Sequence, residues 1–474
     1  MDRREFLKRS GVAITALGAS QMSQEGRVIA KAGSLSECRK ANVLMITCHD
    51  IGRHLGCYGV RTVRTDNLDR LAAKGIRFQN YFATDCVCSP SRGSLLTGRY
   101  PQTNGLMGLT HQPWQWSFHG GERHVAAILR DAGYETTLVG LQHVTSGDPH
   151  KLGYQNVLSQ NRKAEETVQV TRELLQKAKK GGRPFFMKVG FFEVHRPFTV
   201  GTDTEKGVFI PHYLKDTPEI REDLARFQGT IRFFDTCVGQ ILNALEASQI
   251  AQNTLTIFTA DHGIPYPGAK WCLYDPGIET PLIMHYPRTK PEGGKVFRQL
   301  MSNVDFLPTL LDLLGIDIPE NLQGHSFKEV IGGTQAESPR SEIFAQRTSH
   351  ALRDNTSRTV RTNRYKLIRY FEPGRLIEFP VDVVPQRVAE HTERPKRKQG
   401  KRSVVQLFDL KQDPRERNDL AGSPEYASIV RDLSDRLWDW MEQVGDPILQ
   451  GPLVTPYYKE AMADYDRFRQ QRRR

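Results

Sequence analysis

Residues 42–50 read NVLMITCHD, a run of strand length that carries no charge until His49 and Asp50 close it. A half-exposed strand alternates apolar and polar residues, whereas a strand buried on both faces of a parallel sheet reads as a continuous apolar run. The stretch is therefore expected to be a central strand with polar groups at its carboxyl end. Outward from it the same grammar recurs. A helix over Asp66–Lys74 stops at Gly75, and a strand over Ile76–Phe82 leads to Cys88. A helix over 125–132, Gly133 and a strand over 135–139 precede His143; a helix over 165–180, two glycines and a strand over 184–192 precede His195. A helix over 224–248 and a strand over Thr254–Ala260 precede Asp261 and His262. This alternation predicts an α/β fold, a doubly wound, mostly parallel sheet with helices on both faces. Ligands of such sheets bind beyond the carboxyl ends of the strands, so Asp50, His143, His195, Asp261 and His262 are expected to converge on one edge. A lone histidine after a strand is ordinarily structural; five polar groups in the same relative position point to a site.

The pattern changes toward the C-terminus. Residues 305–316, DFLPTLLDLLGI, predict a helix with a glycine stop. Beyond them, alternating pieces at 359–364, Tyr365–Tyr370 and 404–410 predict antiparallel strands, and 426–444 an amphipathic helix. The expected organisation is an N-terminal segment 1–32, a larger domain over 40–334, and a smaller C-terminal α+β subdomain with an antiparallel sheet over 335–474. A basic loop, ERPKRKQGKR at 393–402, and the closing QQRRR read as solvated segments.

With 474 residues the chain can bury a sizeable core, and 38% hydrophobic against 25% charged residues is ordinary for a globular protein and gives no reason to call it disordered. A formal net charge of +12 suits anionic partners. Seven scattered cysteines are too few for a disulfide framework in so long a chain, and no zinc-spaced cluster accompanies the Cys86/Cys88 pair. The N-terminus, MDRREFLKRSGVAITALGAS, resembles a twin-arginine export signal, which places the mature protein in the periplasm or outside the cell. Its apolar run is short, and no later segment of about 20 apolar residues predicts a membrane span.

Residues 88–99 read CSPSRGSLLTGR. Ser89 can serve as an N-cap and Pro90 fits the first turn, so a helix is expected to open here with Cys88 at its electropositive end. The string resembles the maturation and active-site signature of type I sulfatases, members of the alkaline phosphatase-like superfamily, in which the leading cysteine is oxidised to formylglycine. The likeness covers nearly all of 42–320 and, more weakly, the rest. NVLMITCHD resembles the family's metal strand, TADHG at 259–263 its second metal motif, HRPF at 195–198 its sulfate-binding histidine segment, and KWCLYDPGIETPLI at 270–283 its lysine-containing segment. NGLMGLTHQ, TPEIREDLARF and DHGIPYPGAKWCLYDPG are similar to the N-sulfoglucosamine sulfohydrolase branch.

The resemblance implies a sulfatase that hydrolyses sulfate esters or sulfamates, with a sulfated carbohydrate rather than nucleic acid as partner. It implies formylglycine at Cys88 as nucleophile, made by a formylglycine-generating enzyme, with Arg92 as its stabiliser. Asp50, Asp261 and His262 fall, with residue 88, on ligand positions for a divalent cation, calcium in the family; His143, His195 and Lys270 fall on acid/base and sulfate-binding positions. Two positions depart from the family pattern. His49 stands where a second Asp is usual, which makes it a candidate for substrate or metal, and Leu141 stands where a Lys is usual. His350 and Arg353 are candidates for reading the sugar. Two rival readings remain: a catalytically weak protein of this fold that binds sulfated glycans, and a phosphate or phosphonate ester hydrolase.

Overall fold

In the computed structural model, which describes residues 40–178, 182–288, 293–350, 353–372 and 403–472, Asn42–Cys48 forms strand β1 with every residue buried. The export-signal segment 1–32 and the basic loop 393–402 lie outside the described residues. Residues of β1 face two cores in alternation. Leu44, Ile46 and Cys48 pack with the helices Asp66–Lys74, Ala164–Lys177 and Pro218–Ala247, while Val43 and Met45 pack with Val125–Asp131 and Phe306–Leu313. Burial on both faces explains the unbroken apolar run, each large side chain contributing about 1.5–3 kcal/mol.

The other strands of this sheet are β2 (Ile76–Phe82), β3 (Glu135–Gly140), β4 (Asn156–Leu158), β5 (Phe185–Gly190), β6 (Thr254–Ala260), β7 (Leu282–His285) and β8 (Lys295–Ser302). Their spatial order is β4-β3-β5-β1-β6-β7-β2-β8. Every pairing is parallel except the two that β7 makes with β6 and β2. The doubly wound, mostly parallel expectation holds, while β4, β7 and β8 escaped the sequence reading: β4 and β7 are only three and four residues long, and β8 is half exposed. The long helix begins at Pro218 rather than at 224, because Thr217 Oγ1 accepts the Ile220 N–H and Pro218 sits in the first turn.

A second sheet, ordered β12-β11-β10-β9, is antiparallel throughout: β9 (Glu342–His350), β10 (Arg353–Thr362), β11 (Tyr365–Tyr370) and β12 (Val405–Asp409). One face packs on the helix Ala427–Gln443 through Leu433, Leu437, Trp440 and Met441. The opposite face, through Ile343, Ala345, Ile368 and Phe408, packs on Trp271–Tyr274 and on Cys86, Val87 and Cys88. Among the described residues Cys48, Cys57, Cys86, Cys88, Cys237 and Cys272 are free thiols, and no helix is long and apolar enough to cross a membrane.

Candidate active site

The strands β3, β5, β1 and β6 are consecutive neighbours, so the segments leaving their carboxyl ends emerge side by side. These segments carry His143, His195, His49 with Asp50, and Asp261 with His262. Asp50 and His143 take φ values of 53° and 59°, and Trp271, just after Lys270, takes 71°. Side chains other than glycine avoid this region at a cost of about 1–3 kcal/mol each, and such residues gather at functional sites. Gly190 is required where β5 passes the loop after β3: a Cβ there would lie 1.8 Å from the Leu141 carbonyl oxygen.

Asp261 is the electrostatic centre. Its Oδ1 accepts the backbone N–H groups of Asp50 and His262, both at 3.0 Å. Its Oδ2 accepts from Arg92 Nε and Nη2 at 3.2 and 3.1 Å and lies 3.0 Å from His49 Nδ1. Asp50 Oδ2 accepts from Lys270 Nζ at 2.9 Å and stands 3.8 Å from His195 Nε2. Burial alone would raise both carboxyls. Lys270, His195 and His262 instead hold Asp50 at about 2, and His262, Arg92 and His49 hold Asp261 well below the usual carboxylate range. Burial, with Arg92 beside it, lowers His49 to about 3, and burial with His49 lowers His143 well below its ordinary range. The site therefore presents two carboxylates, two fixed cations and, at His49 and His143, neutral imidazoles.

Cys88 opens the helix Cys88–Thr97 from its first turn, 2% exposed. The N-cap is Val87, not Ser89. The Asp85 carboxylate accepts the Val87 N–H at 2.8 Å, and Ser89 lies inside the helix with its hydroxyl unpartnered. Cys88 Sγ is 3.2 Å from His262 Nε2, and the other ring nitrogen of His262 lies 3.0 Å from the Gly263 carbonyl oxygen. Burial pushes the thiol well above its ordinary range despite Lys270, so it stays protonated and is a poor nucleophile as it stands. His49, Asp50, Cys88 and Asp261 bring potential ligand atoms within 4.8 Å of one another, and Asp50 Oδ1 is buried with no hydrogen-bond partner. That orphaned oxygen among other donors fits a divalent cation.

The structure thus brings together Cys88, Arg92, His49, Asp50, His143, His195, Asp261, His262 and Lys270. His350 and Arg353 face each other across the end of the β9–β10 hairpin, and their side chains lie outside the described residues. Three groups at the site escaped the sequence reading. Lys188, fully buried in β5, donates to the Leu141 carbonyl at 3.1 Å and to Thr47 Oγ1 at 3.3 Å, and burial lowers its amine well below the ordinary range. A lysine inside the apolar strand FFMKVG was the available signal. His111 approaches His143 at 3.4 Å, and Phe192 packs on His49 and His195 beneath the guanidinium of Arg162. His111 lies in the NGLMGLTHQ stretch without having been singled out there, and nothing in the local sequence marked Phe192, since the place of both depends on loops folding toward the edge.

A family model described as "Sulfatase" matches residues 41–316, and one described as "N-sulphoglucosamine sulphohydrolase, C-terminal" matches residues 268–399. The human protein named N-sulphoglucosamine sulphohydrolase is 28% identical, with 88% of this chain and 93% of the relative covered. A protein of Formosa agariphila named ulvan-active sulfatase is 28% identical, with 90% and 86% covered. Among solved structures, one in complex with its substrate D-glucosamine-2-N,6-O-disulfate superposes with a TM-score of 0.68 at 19% identity, covering 87% of this chain and 99% of the other. The phosphonate monoester hydrolase of Agrobacterium radiobacter also reaches a TM-score of 0.68, at 20% identity, with 85% and 96% covered. At such identities the structural likeness speaks for the fold.

Proposed function

The chain belongs to the sulfatase family and is a hydrolase of sulfate esters or sulfamates, and from that premise we propose that it acts on a sulfated carbohydrate at the cluster around Cys88. The observation that carries the proposal is the buried convergence of Cys88 with Asp50, Arg92, Asp261 and Lys270, residues drawn from four separate segments. The name of the human relative supports N-sulfated glucosamine as the first substrate to test, and that of the Formosa relative an O-sulfated polysaccharide as the second.

Conversion of Cys88 to formylglycine by a maturation enzyme would supply an aldehyde whose hydrate oxygen is nucleophilic toward sulfur. A divalent cation held by Asp50, Asp261, His262 and residue 88, calcium by family resemblance, would supply positive charge to a sulfate oxygen. The chain's own groups do the rest. Asp50 and Asp261 already balance Lys270 and Arg92, so an incoming sulfate meets no net positive charge from these four and gains from added cationic charge. Arg92 holds Asp261, and Asp261 in turn receives the amides of Asp50 and His262, which fixes the ends of β1 and β6. Lys270 Nζ binds a sulfate oxygen. His195, with Nε2 3.4 Å from Lys270 Nζ and on the partly exposed side of the cluster, donates a proton to the leaving oxygen or nitrogen. His143 orients the sulfate from the β3 side.

The test is co-expression with a formylglycine-generating enzyme, peptide mass analysis of residue 88, and sulfate release from glucosamines sulfated at N, 6-O or 2-O. Conversion at residue 88 with release abolished by Cys88→Ala is expected. An unmodified thiol, or turnover retained by Cys88→Ala, sinks the proposal. Aryl phosphates and phosphonates as parallel substrates separate the ester-hydrolase rival; glycan binding without turnover identifies the weak-binder rival. We also propose the division into 40–334 and 335–474, and export through the twin-arginine signal, checked by mutating Arg3 and Arg4 to Lys and assaying the periplasm.

A further inference from the structure

Oxygen donors at the cluster are scarce. Asp261 Oδ1 is occupied by two backbone amides, and Oδ2 is shared between Arg92 and His49. Asp50 Oδ2 is held by Lys270 at 2.9 Å. The one carboxylate oxygen of this pair with no hydrogen-bond partner is Asp50 Oδ1, on a side chain that is 0% exposed. Calcium takes about 6–8 oxygen ligands, and these two carboxylates have at most one free oxygen and one shared oxygen to give.

Nitrogen donors are what the site offers instead. His262 directs Nδ1 at the Gly263 carbonyl oxygen, 3.0 Å away, which places a proton on Nδ1 and turns Nε2 toward the cluster. Nε2 lies 3.3 Å from Asp50 Oδ1 and 3.2 Å from Cys88 Sγ. His49 adds a ring nitrogen within 4.8 Å of ligand atoms of Asp50, Cys88 and Asp261, and its Nε2 has no hydrogen-bond partner.

Resting on the sulfatase reading above, we propose that the ion of this site is a borderline transition metal of the zinc type rather than calcium. Its ligands are the nitrogens of His49 and His262, Asp50 Oδ1, the shared Asp261 Oδ2 and the heteroatom of residue 88. Imidazole with carboxylate suits zinc, cobalt or manganese, whereas all-oxygen sets suit calcium and magnesium. The buried ion pairs with Arg92 and Lys270 reinforce the choice, because they withdraw oxygens and leave nitrogens free.

The test uses the full-length, matured protein stripped with chelator and titrated separately with Ca2+, Mg2+, Mn2+, Zn2+ and Co2+. Thermal shift and bound-metal analysis are the readouts. Zn2+ and Co2+ are expected to raise Tm at roughly 100-fold lower concentration than Ca2+. Bound Co2+ is expected to give visible absorption bands that disappear in His262→Ala. The conservative pair His49→Asp and His262→Asn, together, should move the preference at least about tenfold toward Ca2+. Ca2+ acting at the lower concentration, or Co2+ bands indifferent to His262, overturns the inference. Sulfate release that depends on Ca2+ alone overturns it while the sulfatase reading stands. Zinc-type binding by the wild-type site, with no sulfate released from any substrate, supports the metal assignment and rejects the substrate reading.

Discussion

Asp261 accepts four hydrogen bonds on two oxygens with the His49 ring beside them, and its removal has a cost that can be separated from chemistry. Asp261→Asn leaves Arg92 buried without its carboxylate, a loss of about 3–5 kcal/mol that should appear as a lower Tm even in chelator. His195 stands on the partly exposed side of the cluster. His195→Ala should therefore lower kcat by about 10²–10⁴-fold with little change in Tm, and an equal loss of stability would make that histidine structural. His124 supplies a pH prediction away from the chemistry. Its Nδ1 accepts the Ala126 N–H at 3.1 Å and caps the helix Val125–Asp131, while burial and Lys188 lower it to about 3. An unfolded imidazole titrates near about 6.5, so between these values the unfolded chain binds a proton that the native chain refuses. Stability is whole above the unfolded value and falls with pH below it, by about 1.4 kcal/mol per pH unit for each such group. His124→Asn keeps an acceptor at the cap and removes the titration, so its Tm should fall less than the wild type's between about pH 7 and about pH 5.

At the scale of elements, the site depends on how closely β5 approaches the loop after β3. Leu141 N donates to the Gly190 carbonyl at 2.8 Å, and Lys188 holds the Leu141 carbonyl from the same strand. Gly190→Ala should displace this loop and with it His143, lowering activity and Tm together. Gly147→Ala, where a Cβ meets its nearest atom at an ordinary 3.5 Å, should do neither. Thr217→Ala removes the cap of the helix Pro218–Ala247 and should cost about 1 kcal/mol without touching sulfate release. Element types were legible because burial on two faces leaves a continuous apolar run and amphipathic helices leave their own period. Element starts were less so. Ser89, expected as the N-cap, lies inside the helix instead, because the Asp85 carboxylate, three residues before Cys88, takes the Val87 amide and lets the helix begin at the cysteine itself.

For the whole molecule, the C-terminal sheet braces the edge that holds Lys270. Asp275 receives Arg361 and Lys366, with Lys366 Nζ 2.9 Å from both Asp275 and Glu416, and Arg347 donates to the Trp271 carbonyl at 2.7 Å. Asp275→Asn should cost about 3–5 kcal/mol and reduce turnover through the displaced Lys270 segment, measured as Tm and sulfate release on one preparation. Arg364→Ala breaks a solvent-screened pair whose arginine is half exposed, and should leave Tm nearly unchanged. The sequence by itself determined the alternating architecture, the strand ends that carry the polar groups and the cysteine signature, because periodicity and motif spacing are local. Tertiary structure alone decided that Asp50 and Asp261, 211 positions apart, share a hydrogen bond, that Lys188 supports the loop bearing Leu141, and that the second sheet grips the Lys270 segment. Charge balance and desolvation are set by distances through space, and those exist only once the sheet has brought its loops together.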